Sequence, residues 1–476
     1  MNYPVWDVAG LGSGLVVAII AIIHVLISHI AVGGGAFLVV AEIWARRQPD
    51  GDRIREWLHK FATFFLVYTT VIGATTGVGI WFSIQLANAE ATSLLIHQFV
   101  FAWAIEWVFF LAELTVLYLY FYGFKRNSLG MQIFLAGAYF IIAWGSLVVI
   151  NGILTFMLTP GEWTLENKDV AAGFFNPGYF PSLLVRTLVM FLVAGLAGFL
   201  VASRIEAEDL KAKIVTFSAK WVVPAALLIP PLLYWYFTTL PANTVTILSG
   251  GTVGTVGGTL SALARMALLG GIAGSLLIIG SLVFAAAPKT VTTTAAIALL
   301  LVAQLGIMGA EFFREMGRKP YVLHSILYSN GLWADQAKDE AYLKTSYIDS
   351  AKWAEGTLPG TLEHGEQIFR LQCSACHTRD GYRSVVYRTN TWTPDAGYKW
   401  LPTMQDMKVM PPFHGDAVDK VALVAYLLSL RPNTEPIQPC QVAMEVIANS
   451  KEPIPELEGM VCAPQALPVA AAEVQR

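Results

Sequence analysis

The chain has 476 residues, 55% of them hydrophobic and 14% charged, with a formal net charge of −3 at pH 7. Soluble domains carry roughly 25% charged residues, so a wholly water-soluble protein is excluded and a membrane protein with a soluble appendage is expected. A charge this near zero points to no particular partner, and no nucleic-acid partner is expected.

The N-terminus, MNYPVWDVAG, lacks the basic n-region of a cleavable signal, so the first apolar segment is expected to direct insertion itself. A bilayer crossing takes about 20 apolar residues. Such runs lie at 11–45, 60–87, 98–123, 129–158, 179–203, 216–239, 259–287 and 292–316, which predicts eight membrane helices. The first exceeds a bare crossing and is expected to project or tilt. The loops after runs one, three, five and seven hold Arg46, Arg47, Arg53, Arg55, Lys60, Lys125, Arg126, Arg204, Lys211, Lys213, Lys220 and Lys289, whereas those after runs two, four and six hold only Lys168. Basic loops stay inside, so the N-terminus is expected outside, and an even number of crossings returns the chain there.

Residues 1–320 thus form the predicted membrane domain, and 321–355 a polar connector. Residues 356–432 read as a small helical domain that opens with TLEHGEQIFRLQCSACH and closes with the amphipathic DAVDKVALVAYLLSL. The tail, 433–476, is Pro-rich and is expected to lie extended on the surface. Its Cys440 and Cys462 can pair if that domain faces an oxidising compartment, or remain thiols.

Ionisable side chains within a bilayer are costly and call for a function. Here they are His24 and His29 on run one, Glu106 and Glu113 on run three, Arg186 on run five and Arg265 on run seven, with Glu311, Arg314 and Glu315 at the outer end of run eight. Glu106 and Glu113 lie two turns apart on one helix face, which suits proton transfer; the plainer alternative is pairing with Arg186 or Arg265. His24 and His29 are five apart, about 140° around the helix, so they cannot serve one face. Either can also be read as a hydrogen-bonded core histidine.

In CSACH, Cys373 and Cys376 are spaced to bond both vinyl groups of one haem, with His377 placed to ligate its iron. A CxxC can instead hold zinc. The sequence KVMPPFHG follows before the closing helix, and this order resembles class I cytochrome c over residues 356–432. The resemblance implies one covalent haem c with Met410 as second axial ligand, the adjacent prolines stiffening the loop that presents its sulfur. Met404 and Met407 are rivals in the same loop, and His364 and His414 are expected at the surface.

LISHIAVGGGAFLVVAEIW on run one, GATTGVGIWF on run two, AIEWVFFLAELT on run three, VING on run four and EMGRKPY ending run eight resemble subunit I of the cytochrome bd quinol oxidases, over residues 10–321. The resemblance implies an all-α, eight-helix haem-binding bundle that reduces O2 at a haem d/haem b pair with a second membrane subunit. By position, His24 and Glu315 would ligate haem iron. Glu106 and, with a one-residue offset, Glu113 would serve ligation and proton delivery, and Arg318 would pair with haem propionates.

Two departures matter. The family's low-spin haem takes a span-five histidine where this chain has Arg186, which cannot ligate ordinarily because it stays protonated. Its methionine partner resembles Met266 only out of step by one, so the low-spin haem is expected to be either absent or held by other groups, with His29, His97 or His324 available and Arg186 able to face a propionate instead. The family's long quinol loop between runs six and seven is replaced by PANTVTILSGGTVGTVGGT, short and uncharged, so quinol oxidation at the usual place is not expected.

The functional expectation is a haem oxidoreductase of a bacterial inner (plasma) membrane, its N-terminus and cytochrome c domain on the periplasmic side. It would accept electrons through that domain from a soluble or complexed cytochrome c and pass them to intramembrane haem b and/or haem d. There O2, or another small oxidant such as NO, would be reduced beside a second subunit and membrane lipid. The alternatives are a quinol-oxidising protein that passes electrons outward, and an electron-transfer subunit of a larger respiratory complex.

Overall fold

The computed structural model describes residues 5–250, 261–460 and Cys462. It divides into two units: Ser13–Ala334 with Met407–Pro411, and Met1–Gly12 with Asp335–Asp406 and Pro412–Arg476.

Backbone groups find no water in a hydrocarbon layer, so an apolar run must satisfy them within its own helix. Among the described residues eight helices are long and apolar enough to cross: Ser13–Arg46, Gly51–Ala87, Val100–Gly123, Leu129–Phe156, Tyr179–Ala202, Glu208–Thr238, Ala262–Ala286 and Thr293–Arg318. They are called spans one to eight. Spans two and six begin more than two turns before their predicted starts, because the amphipathic leaders GDRIREWLHK and EDLKAKIVT continue the helix beyond the apolar stretch. Span one has 34 residues, roughly 51 Å at a rise of about 1.5 Å, well beyond a hydrocarbon core of about 30 Å. Ser128, Ser261 and Thr292 cap spans four, seven and eight through their side-chain oxygens. The loop between spans six and seven falls partly outside the described residues.

Span one lies at the centre. Its run Gly33–Gly35 has no side chains because a Cβ would meet the Met190 carbonyl oxygen at 2.0 Å, the Phe65 ring at 2.2 Å and the Tyr139 ring at 2.6 Å, in that order. The bare backbone lets spans five, two and four approach together. Towards the arginine-rich end the core is aromatic, with Phe37 stacked on Phe61 and edge-on to Phe217. Span two contains a π-helical stretch, Tyr68–Gly73. Span three buries only Leu117 and Tyr120 within this chain.

After Arg318 the chain makes a cis Lys319–Pro320 bond and a short antiparallel hairpin, Tyr321–Leu323 with Leu327–Tyr328. Leu323, Ile326 and Leu327 pack with Ile153, Phe156 and Trp163, so the first part of the segment read as a connector is folded onto the membrane unit.

In the other unit, helices Leu362–Gln372 and Ala417–Ser429 are capped by Thr361 and Asp416. They touch at Gly365, where a Cβ would lie 2.0 Å from the Ala422 carbonyl oxygen. The N-terminal segment packs here too: Asp7 pairs with Arg379 at 2.7 Å, and the Tyr382 N–H donates to the Gly10 carbonyl at 2.8 Å.

Two expectations are corrected. The tail is not simply extended: Pro439–Ala448 is helical, started by proline at its first turn and by a reciprocal Gln438–Gln441 capping box. Cys440 is bonded to Cys462 with Cα atoms 5.3 Å apart. Nor do His364 and His414 lie at the surface, since each is at most 2% exposed. His364 pairs with the buried Asp419 at 2.9 Å, and His414 reaches the Thr345 hydroxyl at 3.1 Å while stacking on Tyr347. These partners lie far away in sequence, and burial becomes favourable once they are in place.

Candidate haem and proton-transfer sites

The helix Leu362–Gln372 delivers the chain into CSACH, where the N–H groups of Cys376 and His377 both donate to the Cys373 carbonyl, at 3.1 and 2.9 Å. One tight turn therefore presents both sulfurs and the imidazole. His377 Nδ1 lies 2.9 Å from the Arg383 carbonyl oxygen. A carbonyl only accepts, so Nδ1 carries the proton and Nε2 keeps the lone pair that iron requires. Arg383 holds this position with a left-handed backbone, φ 53°. Burial, and secondarily Cys376, pushes the Cys373 thiol up to about 12. Zinc takes thiolates, and among the described residues no three Cys, His, Asp or Glu side chains converge to hold a metal. The zinc alternative therefore has no support here, whereas the turn fits a covalent haem. Met404 is buried, and Met407 and Met410 are half-buried. The Gln372 side chain is hydrogen-bonded twice to the His414 backbone, at 2.5 and 3.0 Å, which ties the attachment helix to the chain after Met-Pro-Pro.

In the membrane unit, His24 Nδ1 is 3.0 Å from Thr76 Oγ1. The Thr76 hydroxyl donates to the Ile72 carbonyl at 2.7 Å, so it accepts from Nδ1–H and leaves the lone pair on Nε2. A Cβ at Gly77 would stand 3.2 Å from His24 Cε1; glycine leaves that side of the ring open. Both span-two residues follow directly on the π-helical stretch, which sequence reasoning missed and which sets their facing.

Ser146 on span four, also missed, donates to Glu106 at 2.8 and 2.9 Å. Glu113 follows two turns on along the same face of span three. The pairing alternative fails for Arg186, whose ion pair is with Glu311 at 3.8 Å. His29 Nδ1 donates to the Val25 carbonyl at 2.6 Å, and its ring senses the charges of Arg186 and Glu311. Glu311 also pairs with Arg314 at 2.9 Å. Glu315 pairs with Arg318 and, at 3.1 Å, with Lys319. Met266 is half-buried on span seven. Among the described residues no hydrogen bond or ion pair joins His24 to Glu106, Glu113 or Glu315.

Two observations fit a haem in this unit. The His24 ring is held at Nδ1 by Thr76, and its Nε2 lies beside a bare glycine. Among the described residues the buried N–H groups Nη1 of Arg314 and Nε of Arg318 have no partner, and carboxylates such as propionates satisfy such donors. His97, itself exposed, donates instead to the Ser93 carbonyl, and His324 lies in the hairpin segment.

Residues 360–427 match the family described as "Cytochrome C oxidase, cbb3-type, subunit III". The membrane region matches the bd oxidase from Geobacillus thermodenitrificans with a TM-score of 0.52 and 15% identity, covering 66% of this chain and 89% of that one. At that identity the likeness shows the fold. No curated protein matches the sequence. The chain is a multi-pass, all-α membrane protein for haem-based electron transfer, with a bd-oxidase-like bundle and a C-terminal cytochrome c domain.

Proposed function

We propose that this membrane haem protein is a terminal oxidase fed through its own cytochrome c domain. An external cytochrome c would supply electrons to the haem held by Cys373, Cys376, His377 and Met410, and the bundle would use them to reduce O2 to water. The observation that carries this reading is the pair of intramembrane acids on one face of span three, Glu106, held by the Ser146 hydroxyl, and Glu113. Reduction of O2 to two waters consumes four protons with four electrons, whereas electron wiring alone consumes none. Two carboxylates on one helix face within a membrane, with Arg186 paired instead to Glu311, suit a proton-consuming reaction.

Haem supplies the redox and O2-binding chemistry. The chain's residues hold, orient and protonate. His24, its tautomer fixed by Thr76, offers Nε2 to one iron, and Glu315 is the carboxylate ligand implied for its neighbour. Arg318 and Arg314 offer buried N–H groups to propionates. Glu113 and Glu106 pass protons along span three, with Ser146 holding Glu106. Arg186, paired with Glu311, gives a low-spin haem no ligand on span five. The positive-inside pattern supports a periplasmic N-terminus and cytochrome c domain. The apolar face of span three, little covered by this chain, supports a second membrane subunit as partner.

Oxygen uptake by the purified protein tests the reading. Consumption with reduced cytochrome c and no quinol supports it. Consumption that requires quinol, or reduction of cytochrome c by quinol, turns the direction around, and no consumption with either donor reduces the protein to a wiring subunit.

A further inference from the structure

Glu42, on span one near its arginine-rich end, is fully buried. An internal carboxylate is expensive unless partnered, and Glu42 has two partners on other helices. Arg55 Nε donates to it at 3.1 Å and the Tyr120 hydroxyl at 2.9 Å. Arg55 is partly exposed, so this pair reaches the solvent-facing end of the bundle.

Tyr120 belongs to a series. On span three Glu106, Glu113 and Tyr120 recur every seven residues, and on the antiparallel span four so do Gln132, Tyr139 and Ser146. A seven-residue step drifts only about 20° around a helix, so each set forms one stripe. The stripes meet rung by rung. Ser146 donates to Glu106 and the Gln132 amide donates to the Tyr120 carbonyl at 3.1 Å; on the rung between them Tyr139 donates its hydroxyl to the Ala31 carbonyl at 3.2 Å, which leaves its oxygen free to accept. Gln132 is fully buried, and its Oε1 has no donor. An orphaned acceptor costs about 1–3 kcal/mol, which a buried water relieves.

We propose that Glu42 and Tyr120 are the inner half of the proton route to Glu113 and Glu106, an inference that rests on the proposed function. A proton from inner water binds the Glu42 carboxylate. Tyr120 accepts it at its oxygen while releasing its own hydroxyl proton onwards, and Glu113 takes up the equivalent proton through water bonded to Gln132 and the Tyr139 hydroxyl. Only O–H bonds form and break, and each relay group returns to its starting charge. The step from Tyr120 to Glu113 spans two turns, about 11 Å, which is why water must take part. Arg55 holds the Glu42 carboxylate in place between transfers. As a mere cross-link between spans one, two and three, Glu42 would need neither the aligned stripes nor the unsatisfied Gln132 acceptor.

The test uses the full protein in liposomes with an internal pH dye and reduced cytochrome c outside. Glu42→Gln is expected to slow inner proton uptake and O2 consumption at least about tenfold, with haem content and anaerobic haem reduction unchanged. Tyr120→Phe, which deletes one hydroxyl, is expected to slow both about threefold or more and decides the matter if Glu42→Gln does not fold. Wild-type proton uptake in both variants, while Glu113→Gln is blocked, overturns the route and leaves the proposed function standing. Absence of O2 consumption by the wild type sinks that function instead. The route is then read by infrared difference on haem reduction: a carboxyl band lost in Glu42→Gln supports it, and an unchanged spectrum overturns it.

Discussion

The Ser146 hydroxyl on span four lies within hydrogen-bond distance of both carboxylate oxygens of Glu106 on span three, at 2.8 and 2.9 Å. Glu113 lies two turns along the same face of span three, so Ser146 holds the first acid of the pair in place. Ser146→Ala is expected to lower O2 consumption about three- to tenfold, with no change in haem content. Ser146→Thr, which keeps the hydroxyl, should restore most of it. Oxygen-electrode rates normalised to haem give the comparison. Equal rates in the alanine variant would make Ser146 a packing residue.

His377 and His24, each held at Nδ1, are expected to serve different haem populations. His377 is fixed by the Arg383 carbonyl and His24 by Thr76. Pyridine haemochrome spectra before and after acid–acetone extraction should show one covalent haem in the wild type and additional extractable haem. Cys373→Ala with Cys376→Ala is expected to abolish the covalent fraction alone, and His24→Ala to lower the extractable fraction alone. Wild-type protein with no extractable haem would reduce the bundle to an anchor.

What the sequence made legible is what is local. Eight spans follow from runs of apolar residues that must close their own hydrogen bonds, and CSACH carries its chemistry within five adjacent residues. What stayed hidden depends on distant partners. Ser146 is an unremarked serine on an apolar helix until span three is set against it. The π-helical turn before Thr76 has no composition of its own. Arg186 was visible as a departure, but its partner Glu311 lies 125 positions away. In the tail the flanking prolines masked the helix Pro439–Ala448, whose capping box needs Gln438 and Gln441 to be read together.

That tail helix is fastened by Cys440–Cys462, which closes a loop with a sequence separation of 22. A loop of this size contributes about 3 kcal/mol by restricting the unfolded chain. Cys462→Ser is expected to lower the unfolding temperature of the cytochrome c domain by at least about 4 °C, measured by loss of haem absorbance on heating. Reductant should lower the wild type to the same value and leave the variant unmoved. A reductant effect of equal size in both would remove the disulfide as its cause.

His324 supplies a pH dependence with a definite sign. It is 6% exposed in the hairpin segment, its N–H donates to the Met157 carbonyl at 2.9 Å, and its Nδ1 is buried without a partner. Burial lowers its pKa from 6.5 to about 4. The unfolded chain therefore binds a proton in a range where the folded one does not, and folding loses stability as pH falls through that range. Above about pH 6.5 the contribution is complete; towards pH 4 up to roughly 3 kcal/mol is lost. His324→Gln, which cannot take the proton, should flatten this limb. Unfolding temperatures at pH 7.5 and pH 5 give the check: the wild type should fall further than the variant, and equal slopes would mean that His324 is protonated as readily in the folded protein as in water.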